Sequence, residues 1–101
     1  MFDGFVQLDD VYRTILVVAQ AGVPVEPSAP PTFRLYGPDG LMPDFTDVPM
    51  SAIDEVDDVH SWTCDIDCTA SAFTAGGTYH MVIRSVVGDD PLIDQRSFTV
   101  T

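Results

Sequence analysis

The segment His60-Ser-Trp-Thr-Cys-Asp-Ile-Asp-Cys-Thr69 decides the fold class of this chain. Bulky or apolar residues occupy every second position, and polar or charged residues stand between them. The alternating apolar set is Trp62, Cys64, Ile66 and Cys68. A period of two predicts a β-strand with one buried face and one solvated face. We therefore expect a half-buried strand here, with Trp62 at the centre of the core.

Two further strands are predicted between this segment and the end of the chain. Residues Thr78–Val87 are rich in β-branched and aromatic residues, and they follow a turn-prone stretch at 70–77. The residues Gly88-Asp-Asp-Pro91 then give a turn signal before a last strand over 92–101. Strands that follow one another through short turns are typical of an antiparallel β-sandwich, so the sequence predicts an all-β fold.

The first half of the chain continues the same pattern. Residues 11–21 are predicted to form a long strand whose apolar residues fall on both parities, which indicates burial on both faces or an interface on the outer one. Four prolines hold residues 23–31 extended, so this segment should cross between sheets or run along an edge. A short strand at 32–36 and a type I turn at 37–40 follow. Residues 41–59 are expected to be a loop with at most a short strand.

A chain of 101 residues is the size of one domain. We expect a single sandwich domain at 11–101 behind an N-terminal lead-in arm at 1–10. The arm has no basic region and its apolar residues are interrupted by acids, so it does not resemble a secretion signal, and synthesis in the cytoplasm is expected. Cys64 and Cys68 are accordingly expected to be reduced.

The charge of the chain is strongly one-sided. It has 16 acidic residues, four arginines and no lysine, for a net charge of -12. Such a surface repels phosphate backbones and anionic lipids, so neither nucleic acid nor a membrane is predicted as a partner. The longest apolar run, at 15–19, is far too short to span a bilayer. Basic protein surfaces and cations are the partners that this charge favours.

Two groups of residues could suggest a metal site. His60, Cys64 and Cys68 stand four residues apart, but four residues of a strand span about 13 Å, too far for a shared zinc ion or a disulfide. Buried structural cysteines are therefore predicted. The acidic run Asp54, Asp57 and Asp58 favours a solvated face, and a calcium site at these residues is the alternative that the sequence leaves open.

No catalytic pattern accompanies these groups. The serines lie in no nucleophile-elbow context, and there is no glycine-rich phosphate loop. His80 falls between Tyr79 and Met81 on the opposite parity, which predicts a solvent-facing position. Tyr79 is placed like a corner tyrosine, whose hydroxyl pins a sandwich connection. The chain is predicted to be neither an enzyme nor a cofactor-binding protein.

Several motifs resemble small immunoglobulin-like domains that are encoded among the structural genes of tailed bacteriophages. The motifs are Asp9-Asp10-Val11, Ala21-Gly22-Val23-Pro24, Ala29-Pro-Pro-Thr-Phe-Arg-Leu-Tyr36, Phe73-Thr-Ala-Gly-Gly-Thr-Tyr79 and Ser97-Phe-Thr-Val-Thr101. The resemblance implies an immunoglobulin-like antiparallel β-sandwich of about seven strands. It also implies a non-enzymatic virion protein, such as a capsid decoration protein on the outer head surface or a subunit of the neck or tail.

The expected partners of such a protein are the major capsid protein or other virion proteins, and further copies of the chain itself. Phe2, Phe5 and Leu8 of the lead-in arm are predicted to dock on a partner. Leu16 and Val18 are predicted to lie on the outer face of the first long strand and to pack against a second copy. Tyr12 and Phe45 are also candidates for exposure.

Two other functions remain open at this point. A recognition module would bind carbohydrate or a protein ligand through loops at one end of the sandwich, and exposed aromatic residues at loop tips would be its mark. A calcium-dependent adhesive domain would use the acidic run.

Overall fold

The computed structural model describes residues 2–53 and 61–101. In these ranges it contains eleven β-strands and one short 3-10 helix. The strands are β1 (Phe2–Val6), β2 (Val11–Val17), β3 (Ala19–Gln20), β4 (Val23–Pro24), β5 (Thr32–Gly37), β6 (Gly40–Leu41), β7 (Val48–Pro49), β8 (Ser51–Ala52), β9 (Ser61–Asp67), β10 (Thr78–Val87) and β11 (Asp90–Val100). The 3-10 helix is Pro43–Phe45.

The strands form two main sheets. The larger sheet has the order β1-β11-β10-β5-β6, and β7 pairs with β5 beside β6. The smaller sheet has the order β2-β9-β8, and β3 and β4 form a separate hairpin. Every pair is antiparallel except β1 with β11, which is parallel. The prediction of an all-β fold is confirmed.

The core lies between the two sheets. Tyr12 of the smaller sheet stacks on Phe98 of the larger one with ring centroids 4.0 Å apart. Phe73, from the loop before β10, packs against the rings of Tyr79 and Phe98. Aromatic stacking of this kind adds to the burial of apolar area that holds the layers together. The sheets therefore pack face to face through side chains from both layers.

The strands that the alternation predicted are present. Residues Ser61–Asp67 form β9, in which Cys64 and Ile66 are buried. Cys68, directly after the strand, is also buried. Trp62 is only partly buried and packs at the margin of the core, so the prediction that it is the centrepiece is wrong. In the smaller sheet Trp62 lies between the buried Leu16 of β2 and the exposed Ala52 of the two-residue strand β8. His60 lies outside the described residues.

The proline-rich segment connects the two sheets. It begins beyond β4, next to the smaller sheet, and ends at β5 in the larger sheet. The Val25 amide donates a hydrogen bond to the Val18 carbonyl at 2.9 Å, and the Ser28 amide donates to the Val86 carbonyl at 2.7 Å. The segment is thus hydrogen-bonded first beside the smaller sheet and then to β10 of the larger sheet. Of the two courses that the sequence predicted, it takes the crossing between sheets.

The region predicted to be a lead-in arm contains a strand of the larger sheet. The Thr101 amide donates to the Val6 carbonyl at 2.8 Å, and the Leu8 amide donates to the Thr101 carbonyl at 2.9 Å. Val6 and Leu8 also pack against the core. Residues 2–8 are therefore tied to β11 by main-chain hydrogen bonds as well as by apolar contacts.

Candidate protein-binding surface

The structure reverses the predicted faces of β2. Leu16 and Val18 are only 6 % and 3 % exposed, so both belong to the core and the prediction that they form an outer interface is wrong. Tyr12, which shares their parity, is also buried rather than exposed. The cause is pairing with β9: Tyr12 lies opposite Ile66 and Leu16 lies opposite Trp62, on the inward face of that strand.

The other parity of β2 carries exposed apolar side chains. Val11, Ile15 and Val17 are all about half-exposed, with Ile15 at 53 %. Arg13, on the same face, forms a two-pronged ion pair with Asp65 on β9, with Nε to Oδ1 at 2.7 Å and Nη2 to Oδ2 at 3.0 Å. The pair neutralises both charges, so the outer face of β2 is apolar with no net charge of its own.

Strand β1 carries two exposed phenylalanines that touch each other. The rings of Phe2 and Phe5 meet edge to face with centroids 5.5 Å apart, and Phe5 is 71 % exposed. Residues three apart on a regular strand point to opposite faces. Here Phe2 pairs with Ser97 and Phe5 pairs with Thr99, so three steps of β1 match two of β11 and the strand is bulged.

Gly4 makes this bulge possible. Its φ is +105°, in a region that side chains disfavour and glycine adopts freely. The bulge brings both phenylalanine rings to one side of the strand, where they form one apolar unit. Both phenylalanines were predicted from the sequence as docking residues, but their contact depends on the bulge at Gly4.

A polar network shows that β1 and β2 lie side by side. The Asp3 carboxylate accepts hydrogen bonds from the Tyr12 hydroxyl and from the Thr14 hydroxyl, the latter at 3.4 Å. The Arg96 guanidinium donates to the Thr14 hydroxyl and to the Ile15 carbonyl, the latter at 2.6 Å, and forms an ion pair with Asp94 at 3.1 Å. The network joins the edge strand of each sheet across the open side of the sandwich.

We call Phe2, Phe5, Val11, Ile15 and Val17 the edge surface. They form two patches on neighbouring edge strands: Phe2 and Phe5 stand on β1, and Val11, Ile15 and Val17 stand on the outward parity of β2. The polar network holds the two strands together. Leu8, the third predicted docking residue of the N-terminal segment, is half-buried and packs against the core instead. Val11, Ile15 and Val17 were missed in the sequence, although Arg13 at the same parity could have marked their face as the outward one.

Burial affects one phenol and two thiols near this surface. Burial, together with the hydrogen bond to Asp3, raises the pKa of the Tyr12 phenol above its ordinary value. Burial raises the pKa of the Cys64 thiol to about 11, and burial also raises that of Cys68. A raised pKa keeps a thiol in its less reactive protonated form at neutral pH.

The residues that were considered as metal ligands include the two cysteines. Cys64 and Cys68 are both buried free thiols. Among residues 2–53 and 61–101, no three His, Cys, Asp or Glu side chains stand close enough to hold a metal ion. Asp54, Asp57 and Asp58, the residues of the calcium alternative, lie outside the described residues. No helix in the described ranges is long and apolar enough to span a membrane.

A groove of about 700 Å³ lies at one end of the sandwich, between the β5–β6 hairpin and the loop at 70–77. Its lining includes the apolar side chains of Met42 and Tyr79 and the carboxylates of Asp39 and Asp44. A ligand with an apolar part and a positive charge would suit such a lining. Tyr79 is buried, so its ring forms part of a wall and does not project from a loop tip.

No protein-family model, no curated protein and no solved structure matches the chain.

Proposed function

We propose that this chain is a non-enzymatic structural protein of a tailed-bacteriophage particle with an immunoglobulin-like fold. Its place would be on the outer head surface as a capsid decoration protein, or at the neck or tail. The observation that carries the proposal is the edge surface, in which five exposed apolar side chains line two adjacent edge strands. The link to bacteriophages comes from the sequence resemblance alone.

The edge surface can support a contact that is weak by itself and becomes stable when several copies of it form on one particle. Each of its side chains is about half-exposed or more, so complete burial would contribute about 1 kcal/mol per residue. Ordering costs consume much of that gain in a single contact. On a symmetric shell, contacts with two or more neighbouring subunits act together and raise the apparent affinity. A small acidic domain can therefore be held firmly on a particle and weakly off it.

The charge supports an external position and a different chain as the first partner. A net charge of -12 opposes close packing with DNA, which favours the outside of a head over its lumen. The same charge makes free copies repel one another. We therefore expect copies to gather only on a template supplied by the capsid or another virion protein.

The experiment that tests this proposal is binding of purified chain to particles that lack it, followed by sedimentation. Ile15→Glu should abolish recovery with the particles, because it places a charge in the middle of the edge surface. Leu41→Glu, an equally exposed apolar position on β6, should bind as the unaltered chain does. Recovery of Ile15→Glu at the unaltered level would refute a role for the edge surface.

The groove at the end of the sandwich favours a second candidate, a recognition module for a carbohydrate or protein ligand. Leu41 lines this groove and Ile15 does not, so the same pair of variants separates the two functions. A glycan array probed with isolated protein tests the carbohydrate form directly. Binding that is lost in Leu41→Glu and retained in Ile15→Glu would favour recognition over assembly.

A further inference from the structure

Three of the four arginines of this chain are paired with carboxylates, and the fourth, Arg84, has no carboxylate partner among residues 2–53 and 61–101. Arg13 pairs with Asp65 at 2.7 Å, Arg34 with Asp47 at 2.8 Å, and Arg96 with Asp94 at 3.1 Å. Within the part of the chain that the structure describes, no oxygen accepts a hydrogen bond from the Arg84 guanidinium. An unpaired arginine is unexpected in a protein where acidic residues outnumber arginines by four to one.

Arg84 lies in a depression on the outer face of the larger sheet. The depression has a volume of about 560 Å³ and its lining includes Arg34, Tyr36, Asp47, Val82, Arg84 and Ile93. On β10, Arg84 is opposite Ile93 of β11 and Thr32 of β5, and Val82 is opposite Arg34. Arg34 and Arg84 are thus diagonal neighbours across two strands, about 7–8 Å apart at the backbone. We call these six residues the arginine face.

The rest of the arginine face is held in place. The Asp47 carboxylate accepts two hydrogen bonds from Arg34, at 2.8 and 3.2 Å. Arg34 lowers the pKa of the Asp47 carboxyl, and the charge of Arg84 lowers it further. Two arginines and one carboxylate leave this face with one net positive charge.

We infer that the arginine face binds a carboxylate presented by a partner protein, with Arg84 as the residue that receives it. A guanidinium binds a carboxylate through two parallel hydrogen bonds, and no residue in the described ranges occupies the donors that Arg84 would use for that geometry. Val82, Tyr36 and the exposed Ile93 provide apolar contacts for the side chain that carries the carboxylate. This site is independent of the edge surface and would give the protein a second binding face.

A protein carboxylate fits this face better than a nucleic acid does. A polyphosphate chain would bring many negative charges against a domain of net charge -12 and find one unpaired arginine. A single carboxylate can pair with the Arg84 guanidinium, and it brings only one negative charge near the acidic surface. Asp47, fixed beside Arg34, leaves one guanidinium for one anion.

Nuclear magnetic resonance titration tests the inference. The probes are the capped peptides acetyl-Phe-Glu-Phe-amide and acetyl-Phe-Gln-Phe-amide, added to ¹⁵N-labelled full chain up to about 10 mM, a range that captures weak complexes. The Glu peptide should shift the Arg84 Nε–H signal and the amide signals of Thr32, Val82 and Ile93. The Gln peptide, which differs only in its charge, should leave them in place.

Two variants make the result specific. Arg84→Gln should weaken binding of the Glu peptide by up to about fivefold, as expected for loss of an exposed charge pair. Arg13→Gln removes the same charge from the other sheet and should bind as the unaltered chain does. Equal shifts with both peptides, no shift at all, unchanged affinity in Arg84→Gln, or tighter binding of a short oligothymidylate than of the Glu peptide would each overturn the inference.

Discussion

The Tyr79 hydroxyl accepts a hydrogen bond from the Thr74 backbone amide at 2.8 Å. This bond ties the loop at 70–77 to the start of β10, and the Tyr79 ring packs on Phe73 with centroids 4.8 Å apart. A Cβ atom on Gly77 would come within 3.1 Å of the same ring, so glycine is needed there for the close approach. The corner tyrosine expected from the sequence is confirmed.

Removal of that hydroxyl should destabilise the domain. Tyr79→Phe leaves the Thr74 amide without its acceptor, and we expect the free energy of unfolding to fall by about 1–2 kcal/mol. Urea denaturation followed by tryptophan fluorescence measures it. Tyr36→Phe on the outer face is the control, with an expected change below about 0.5 kcal/mol. Equal losses in both variants would show that the corner contact has no special role.

The polar network between the edge strands should also contribute to stability. Arg96→Leu leaves the Ile15 carbonyl and the Asp94 carboxylate without their donor, and we expect a loss of about 2 kcal/mol or more. The matched control is Arg13→Leu, which breaks a solvent-exposed ion pair and should leave stability almost unchanged. Thermal unfolding of the two variants, measured side by side, tests the difference. A larger loss in Arg13→Leu would contradict the assigned role of Arg96.

Alkaline pH should destabilise the folded chain. Burial raises the pKa of the Cys64 thiol from its ordinary 9.0 to about 11. Between these two values the unfolded chain loses that proton while the folded chain keeps it, so the unfolded state binds fewer protons and the free energy of unfolding falls as pH rises. Urea titrations at pH 8, 9, 10 and 11 measure the slope. Cys64→Ser should make it shallower, and a stability that rises from pH 9 to pH 11 would contradict the burial of Cys64.

The turn between β3 and β4 offers a stabilising substitution. Ala21 and Gly22 both have positive φ, at +52° and +79°, as a type I′ hairpin turn requires. Alanine is strained in this conformation, whereas asparagine tolerates it. Ala21→Asn should raise the free energy of unfolding by about 0.5–1 kcal/mol, measured by urea denaturation. Ala19→Asn, two residues earlier in β3, should give no such gain; a decrease in Ala21→Asn would show that the turn is not strained.

The parts of the fold that could be predicted are those whose side chains alternate without ambiguity. β9 alternates between apolar and polar residues, and β10 does so except at Val82, Ser85 and Val86, so both strands followed from the sequence. β2 has apolar residues at both parities, and only its register against β9 decides which set is buried. That register depends on residues about fifty positions away, which a local pattern does not contain.

The binding surfaces were harder to predict for related reasons. The bulge at Gly4 breaks the period of two in β1, and its parallel pairing with β11 joins the two ends of the chain. The arginine face also depends on distant pairings, because β10 brings Arg84 beside Arg34 from fifty residues earlier. Which arginine lacks a carboxylate partner among the described residues depends on how the strands pair, and a local pattern does not contain that pairing.

The most direct test of the central claim is the amount of this chain in purified virus particles. The proposed function predicts that a tailed bacteriophage encodes the chain. Its particles, produced once with the unaltered sequence and once with Ile15→Glu, are to be separated on a density gradient and analysed by quantitative mass spectrometry. The account predicts a fixed number of copies per particle for the unaltered chain and almost none for Ile15→Glu. Finding the unaltered chain only in the soluble fraction, away from the particles, would contradict it.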